Sequence, residues 1–271
     1  MRIRIRHQTR YVYDRSVEYT AQLIRLTPGD HAGQHVLNWR VIEQPGRPLP
    51  QTDDGYGNVM HMLALSRSHT EATVVAAGEV ETFETFGVVN GAVERLPPTY
   101  FLRRTPATQP DDAIAALAAE VKGIVDPLER LHGLMLRIRE RIDYVVGATT
   151  AVTAAAEALA AGQGVCQDHA HVFGSAARCL GVPARYVSGY LWQGPSETPG
   201  EASHAWAEAY VAGLGWVGFD AANGVCPNEA YVRAGIGLDY HEAAPVRGVR
   251  RGVAQESLSV SVEVHHAAGQ Q

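Results

Sequence analysis

The stretch GVCQDHAHVFGSAARC, Gly164 to Cys179, puts Cys166 just ahead of a helical run, with His169 and His171 close behind it. Three chemistries are open to such a cysteine: a buried structural thiol, a metal ligand or a nucleophile. A thiol becomes a nucleophile when its thiolate is stabilised, and the free amides and positive dipole end of a helix start do this. Gly164 lets the chain approach tightly and leaves the thiol unobstructed. Cys179 sits at the opposite dipole end of the same run, beside Leu180, and reads as a core filler. Cys226, next to Pro227, has no chemical context.

A nucleophilic thiol also needs a base, and the base needs an orienting group. Both are present in HAWAEAYVAGLGWVGFD, where His204 opens one strand of a hairpin and Asp220 closes the other. His204 would take the thiol proton while Asp220 holds the ring and stabilises it when charged. The even separation of the pair demands an odd turn length for a shared face. A three-residue Gly213-Leu214-Gly215 turn has that parity but would set Asp220 opposite Glu208, so a bulge or strong twist is expected. Trp206, two residues after His204 on the same strand face, is either a shield for the imidazole or an ordinary core aromatic.

The metal reading uses Cys166, His169 and His171, with Asp168. Cys166 and His169 share a helix face, but His171 points elsewhere, and the chain has no C-x-x-C pair and no H-E-x-x-H. No metal and no cofactor is expected; His169 and His171 read as packing or supporting residues.

These residues need a scaffold. Residues 2 to 13 alternate, with Ile3, Ile5, His7, Thr9, Tyr11 and Tyr13 on one face and an arginine row on the other, as in a half-buried strand. The row reads as a solvated strand face in preference to a nucleic-acid stripe. Further strands are predicted at 37–43, 59–66 and 73–84, with turns at Thr27-Pro28-Gly29-Asp30 and around Asp53 to Asn58. Residues 1–95 are therefore expected to form a β-rich N-terminal domain. The proline-bearing segment 96–110 reads as a linker. Asp111 caps a helix through Val121, and Asp126-Pro127-Leu128-Glu129 starts a second, amphipathic one. A third runs from about Thr153 to Ala161, and the Cys166 helix stops at Gly181. Strands follow at 184–192, 204–211 and 216–220, and the polar loop 193–203 is a lid or a surface excursion.

With 46% hydrophobic and 19% charged residues in a chain of 271, the protein can bury a real core. A net charge of -6 gives no field that would gather nucleic acid or an anionic membrane, so neither partner is expected. No stretch has the length and apolarity of a bilayer span or a secretory signal. The three cysteines are too sparse for a disulfide framework, which fits a reducing compartment and leads us to expect a cytoplasmic protein.

GVCQDHAHVF, HAWAEAYVAGLGWVGFD and DAANG resemble the catalytic core of bacterial transglutaminase-like superfamily proteins, often described as cysteine proteases. IRHQTRYVYDRSV, LIRLTPGD and DDGYGN resemble the family's β-rich N-terminal region, and DYHEAAPVRGVRRG its closing segment. The resemblance implies an α+β chain: an N-terminal all-β domain, then at 111–248 a papain-like or transglutaminase-like core. Helices there pack on an antiparallel sheet, with the nucleophile at a helix N-terminus. Residues 249–271 would supply a final strand, SLSVSVEV, able to return to the β-domain, and a tail. Cys166 becomes the nucleophile, His204 the base and acid, and Asp220 the orienting carboxylate. The implied activity is thiol-dependent acyl transfer on a peptide or isopeptide amide through a thioester, foremost a cysteine peptidase or amidase. A transglutaminase, with an amine as second nucleophile, shares the triad, and a catalytically silent binding scaffold shares the fold. Ala221 stands where the family has proline, the histidine often found near Tyr231 is missing, and GIGLDY replaces a Gly-Arg-Asp-Tyr run. No acidic calcium loop is present. One oxyanion donor would be the Cys166 amide, with Tyr144, Gln163 and Gln167 as candidates for a second.

Overall fold

Alternation of apolar residues with arginines builds the long first strand, β1 (Arg2–Val17), which buries Ile3, Ile5, His7 and Thr9 on one face. The structure, a computed structural model, describes residues 1–194 and 202–266. Six more strands complete the N-terminal region: β2 (Tyr19–Ile24), β3 (Gln34–Glu43), β4 (Arg47–Pro48), β5 (Gln51–Asp53), β6 (Val59–Leu65) and β7 (His69–Thr82). The arginine row of β1 faces carboxylates on β7, where Arg2 and Arg4 pair with Glu79 and Arg10 pairs with Glu71.

After β8 (Val88–Val89) come two 3-10 turns, Pro98–Leu102 and Pro106–Thr108. The segment 96–110, expected as a linker, is thus folded onto the body of the protein. Its prolines open the 3-10 turns, a position that needs no amide donor. Phe101 and Thr108 are buried, and Phe101 meets the Trp216 ring edge-on at 5.1 Å.

The helices begin where capping chemistry places them. In α1 (Asp112–Val121) the Asp111 side chain accepts the Ile114 amide, and in α2 (Pro127–Arg141) Asp126 accepts those of Leu128 and Glu129. Next come β9 (Asp143–Tyr144), α3 (Ala155–Ala161), β10 (Gln163–Gly164) and α4 (Cys166–Cys179). The chain then lays down β11 (Ala184–Leu191), β12 (Ser203–Val211), β13 (Gly215–Phe219), β14 (Tyr231–Gly237), α5 (Tyr240–Ala243), β15 (Val246–Arg251) and β16 (Glu256–His266). Most of the polar loop 193–203, expected as a lid or surface excursion, lies outside the described residues.

Among the described residues the strands form sheets in the orders β16-β1-β7-β3-β4, β15-β2-β6-β5 and β14-β11-β12-β13-β8, with a small parallel pair of β9 and β10. The last two strands return to the N-terminal sheets: β15 pairs with β2, and β16 runs antiparallel to β1 from Ile3↔His266 to Tyr13↔Glu256. The helices bury one face of the β11–β14 sheet. Ala207 and Ala209 of β12 are small enough to let α4 settle close, against Phe173, Ala176 and Ala177. On the other face Trp206, Trp216, Tyr231 and Phe101 form an aromatic cluster. Tyr190, Val232 and Ala234 join the apolar core of the N-terminal sheets, which ties the two regions together.

Candidate active site

Helix α4 starts at Cys166 because Asp168 turns back and accepts the Val165 amide at 2.8 Å, half of a capping box. The same carboxylate oxygen accepts the Thr149 hydroxyl at 2.6 Å. A Cβ on Gly164 would stand 2.7 Å from the Asp168 Cβ and 2.8 Å from its Oδ2. Gly164 therefore makes room for a buried carboxylate rather than, as its place in the sequence suggests, for the thiol. Cys166 itself is part-exposed at the edge of a small cluster of Ala170, Tyr186, Ala205 and Ala243.

His204, Trp206 and Glu208 share one face of β12, opposite the alanines that carry α4. Pairing of β12 with β13 runs unbroken from Val211↔Gly215 to Ala207↔Phe219. The turn is thus Ala212-Gly213-Leu214, one residue earlier than the expected Gly213-Leu214-Gly215, with Gly213 at φ +88° and Gly215 at φ +87°. That shift sets Asp220 in line with Trp206, diagonally next to His204, and the pairing of these two strands needs no bulge. The irregularity lies instead between β11 and β14, at Ser188 and Gly189. A Cβ on Gly189 would stand 2.2 Å from the Val232 oxygen and 2.7 Å from the Trp206 ring, so this close approach requires glycine.

His204 Nε2 lies 2.6 Å from Asp220 Oδ2. Cys166 also raises the same imidazole, and the two side chains line one cleft. Asp220 Oδ2 also accepts Asn223 Nδ2 at 2.7 Å and the Tyr231 hydroxyl at 2.8 Å. Its Oδ1 accepts the amides of Ala222 at 3.0 Å and Asn223 at 3.2 Å. Burial alone would raise the Asp220 carboxyl, but His204 and the Tyr231 and Asn223 donors outweigh it and hold the group below its ordinary value. Burial likewise works against a charged His204. The hydrogen bond and charge of Asp220, with a contribution from Cys166, overcome it and push the ring up to about 10. At neutral pH the imidazole is held as a cation against the Asp220 carboxylate. Trp206 stacks on it at 6.3 Å, and Tyr231 meets it edge-on at 5.9 Å.

Neither helical histidine joins this group. Each His169 ring nitrogen faces a backbone carbonyl, Val165 O at 2.9 Å and Ile142 O at 3.0 Å. His171 Nε2 accepts the Tyr240 amide at 2.9 Å, and burial pushes this ring down to about 4. Among the described residues no group of three or more His, Cys, Asp or Glu side chains could hold a metal ion. Burial raises the Cys179 thiol and, to about 11, that of Cys226, which sits 3.3 Å from His132 Nε2. Gln163 is exposed in the β9–β10 pair, which also holds Tyr144, while Gln167 lines the cleft beside the thiol.

Asn223 and Tyr231 were not singled out from the sequence. DAANG carries a weak signal, an amide side chain three positions after a carboxylate in turn composition; Tyr231, eleven positions away, carries none.

Cys166 and His204 open onto a cleft of about 320 Å³. One wall is built by Tyr186 and Ser188 of β11 and Tyr240 of α5, and the other by Thr9, Tyr11, Leu258 and Val260 of β1 and β16.

Residues 115–221, which contain all three of these polar groups, match the profile of the transglutaminase-like superfamily. Residues 3–81 match that of the bacterial transglutaminase-like N-terminal region. An uncharacterized protein of Mycobacterium leprae is 31% identical, over 98% of this chain and 99% of its own. One of Mycobacterium tuberculosis is 28% identical, over 97% and 92%. In three dimensions the chain is similar to a Cytophaga hutchinsonii protein provisionally described as a cysteine protease. The TM-score is 0.76 at 22% identity, over 100% of this chain and 92% of that one, a likeness of fold. The chain is a member of the transglutaminase-like superfamily, with helices packed on an antiparallel sheet and the bacterial transglutaminase-like N-terminal region ahead of them.

Proposed function

We propose that the protein is a thiol-dependent acyl-transfer enzyme acting on a peptide or isopeptide amide, with Cys166 as nucleophile, His204 as acid and base, and Asp220 as its orienting carboxylate. The observation that carries this reading is His204 itself, hydrogen-bonded to Asp220 and lining the same open cleft as Cys166, which sits at a helix start.

The Cys166 thiolate attacks the amide carbonyl carbon, and the C–S bond forms as the carbonyl electrons move to oxygen. Amides in the first turn of α4, beginning with that of Cys166, have no intrahelical carbonyl to bond and suit the developing oxyanion. As the carbonyl re-forms, the C–N bond breaks and His204 gives its proton to the departing amine. Water, deprotonated by the now neutral His204, then attacks the thioester. The C–S bond breaks, a carboxylic acid leaves, and the thiolate and imidazolium are restored. An amine in place of water yields a new amide. Hydrolysis is the reading we adopt, because water reaches the cleft without a second binding site.

The test is mass spectrometry of peptide and isopeptide mixtures incubated with the protein, with and without added amine. Products that appear with the native chain and vanish in Cys166→Ala support the reading. Equal product from Cys166→Ala overturns it, and products carrying the added amine would reassign the enzyme as a transamidase.

A further inference from the structure

The N-terminal sheets do more than flank the core, because they supply one wall of the reactive cleft. In β16 the sequence SLSVSVEV sets Leu258, Val260 and Val262 on one face. Register with β1 places Leu258 beside Tyr11 and Val260 beside Thr9, so this face looks across the cleft toward Cys166. Val262 is covered, whereas Leu258 and Val260 remain 55% and 51% exposed. Tyr186 and Tyr240 stand on the opposite wall. Two open branched side chains with Tyr11 on one wall thus stand against Tyr186 and Tyr240 on the other, beside the thiol.

Apart from the reacting pair, Cys166 and His204, the described lining is also uncharged. Among the described residues that form the cleft there is no Asp, Glu, Lys or Arg. Its second histidine, His7, is 3% exposed, and burial pushes its ring down to about 4, so it is neutral at physiological pH. Away from the reacting pair, an ionic side chain would lose water here with no counter-charge to replace it. A volume of about 320 Å³ is at the low end of the roughly 300 to 1,000 Å³ of small-molecule sites. That is room for one large side chain and its flanking peptide groups.

We propose that Leu258 and Val260, with Tyr11 and Tyr240, form the side-chain subsite for the acyl donor, and that it selects an uncharged, bulky apolar side chain next to the amide that Cys166 attacks. This assignment rests on the acyl-transfer reading above and adds the substrate class to it.

The probes are N-acetyl aminoacyl chloromethyl ketones carrying Phe, Leu, Asp or Lys side chains, with iodoacetamide as the reagent that has none. The Cys166 sulfur displaces chloride, the C–S bond forming as C–Cl breaks, and the rate of Cys166 labelling is read by peptide mass mapping of the full chain. The Phe and Leu ketones are expected to label at least about tenfold faster than the Asp and Lys ketones, within the range that pocket contacts give. Leu258→Glu should raise the Lys-to-Phe rate ratio by about tenfold through the new counter-charge. Val260→Glu, the next residue on the same face, should move it in the same direction and covers the case in which the first variant fails to fold. Equal rates for all four ketones on the native chain, or a ratio unchanged in both variants, overturns the subsite. Failure of the underlying reading looks different: Cys166 then reacts with iodoacetamide no faster than free cysteine does.

Discussion

At His204 two opposing effects meet, and their balance sets how the site behaves with pH. Burial disfavours the imidazolium, while Asp220 and Cys166 favour it strongly enough to bring the ring to about 10. The raised value means the cation persists from neutral pH upward and is lost only as pH rises through about 10. Reactivity that needs the imidazolium should therefore show an alkaline limb there. Asp220→Asn removes the carboxylate charge and leaves burial less opposed, so the limb should shift downward by more than one pH unit. An NMR titration of the His204 ring measures the underlying ionisation; a ring that titrates at an unchanged pH in Asp220→Asn contradicts the electrostatic account. The five hydrogen bonds that Asp220 accepts explain how a carboxyl that is 1% exposed stays ionised. Of their donors, Asn223 Nδ2 is hinted at by the turn composition of DAANG, whereas the Tyr231 hydroxyl arrives from β14, which no residue type or short spacing reports.

At the scale of elements, the signals that were local were the legible ones. Asp111, Asp126 and Gly162 mark helix ends through capping and positive φ, and α1, α2 and α3 begin or end beside them. The alternation of β1 and the apolar stripe of α2 were equally plain, as was the nucleophile helix that starts at Cys166. What the sequence left hidden was non-local. Strand β14 was not anticipated because Tyr-Val-Arg-Ala-Gly-Ile-Gly has two glycines and no clean period; it exists because β11 offers it an edge. The register of the β12–β13 hairpin differs by one turn residue from the one the sequence suggests, and the placement of Asp220 with it, since Gly213 and Gly215 both accept positive φ and only packing chooses between turns. Gly164 stands next to the thiol in sequence, but its neighbour in space is Asp168, a contact made by a side chain folding back along the helix.

Across the whole molecule, the sheet that carries His204 is anchored by a buried ion network on the same face. Glu208 is fully buried and bonds Arg185 at 2.6 Å and Arg233 at 2.8 Å, while Arg185 also pairs with Glu94 and lies 3.9 Å over the Trp216 ring. Burial would raise the Glu208 carboxyl, but the two arginines hold it down at about 2. The sign follows from that depression. The contribution to stability is complete above about pH 4.5 and is lost as pH falls toward 2. Glu208→Gln leaves two buried guanidinium groups short of charge and should cost about 3–5 kcal/mol in urea unfolding at pH 7. The loss should shrink below about pH 4.5, where Glu208 of the unfolded chain takes up a proton and the native chain gives up the same contribution. A variant as stable as the native chain at pH 7 would show that the network is not what fixes β12.

The central claim is that His204 makes Cys166 a nucleophile, and competitive alkylation tests it most directly. All three cysteines are part-exposed, so Cys179 and Cys226 serve as controls of similar access. With limiting iodoacetamide at pH 7 and peptide mass mapping, Cys166 should be labelled more than about tenfold faster than either control. That advantage should disappear in His204→Ala, as it does when a nucleophile loses its base. Equal labelling of the three thiols, or a Cys166 rate untouched by His204→Ala, would contradict the account.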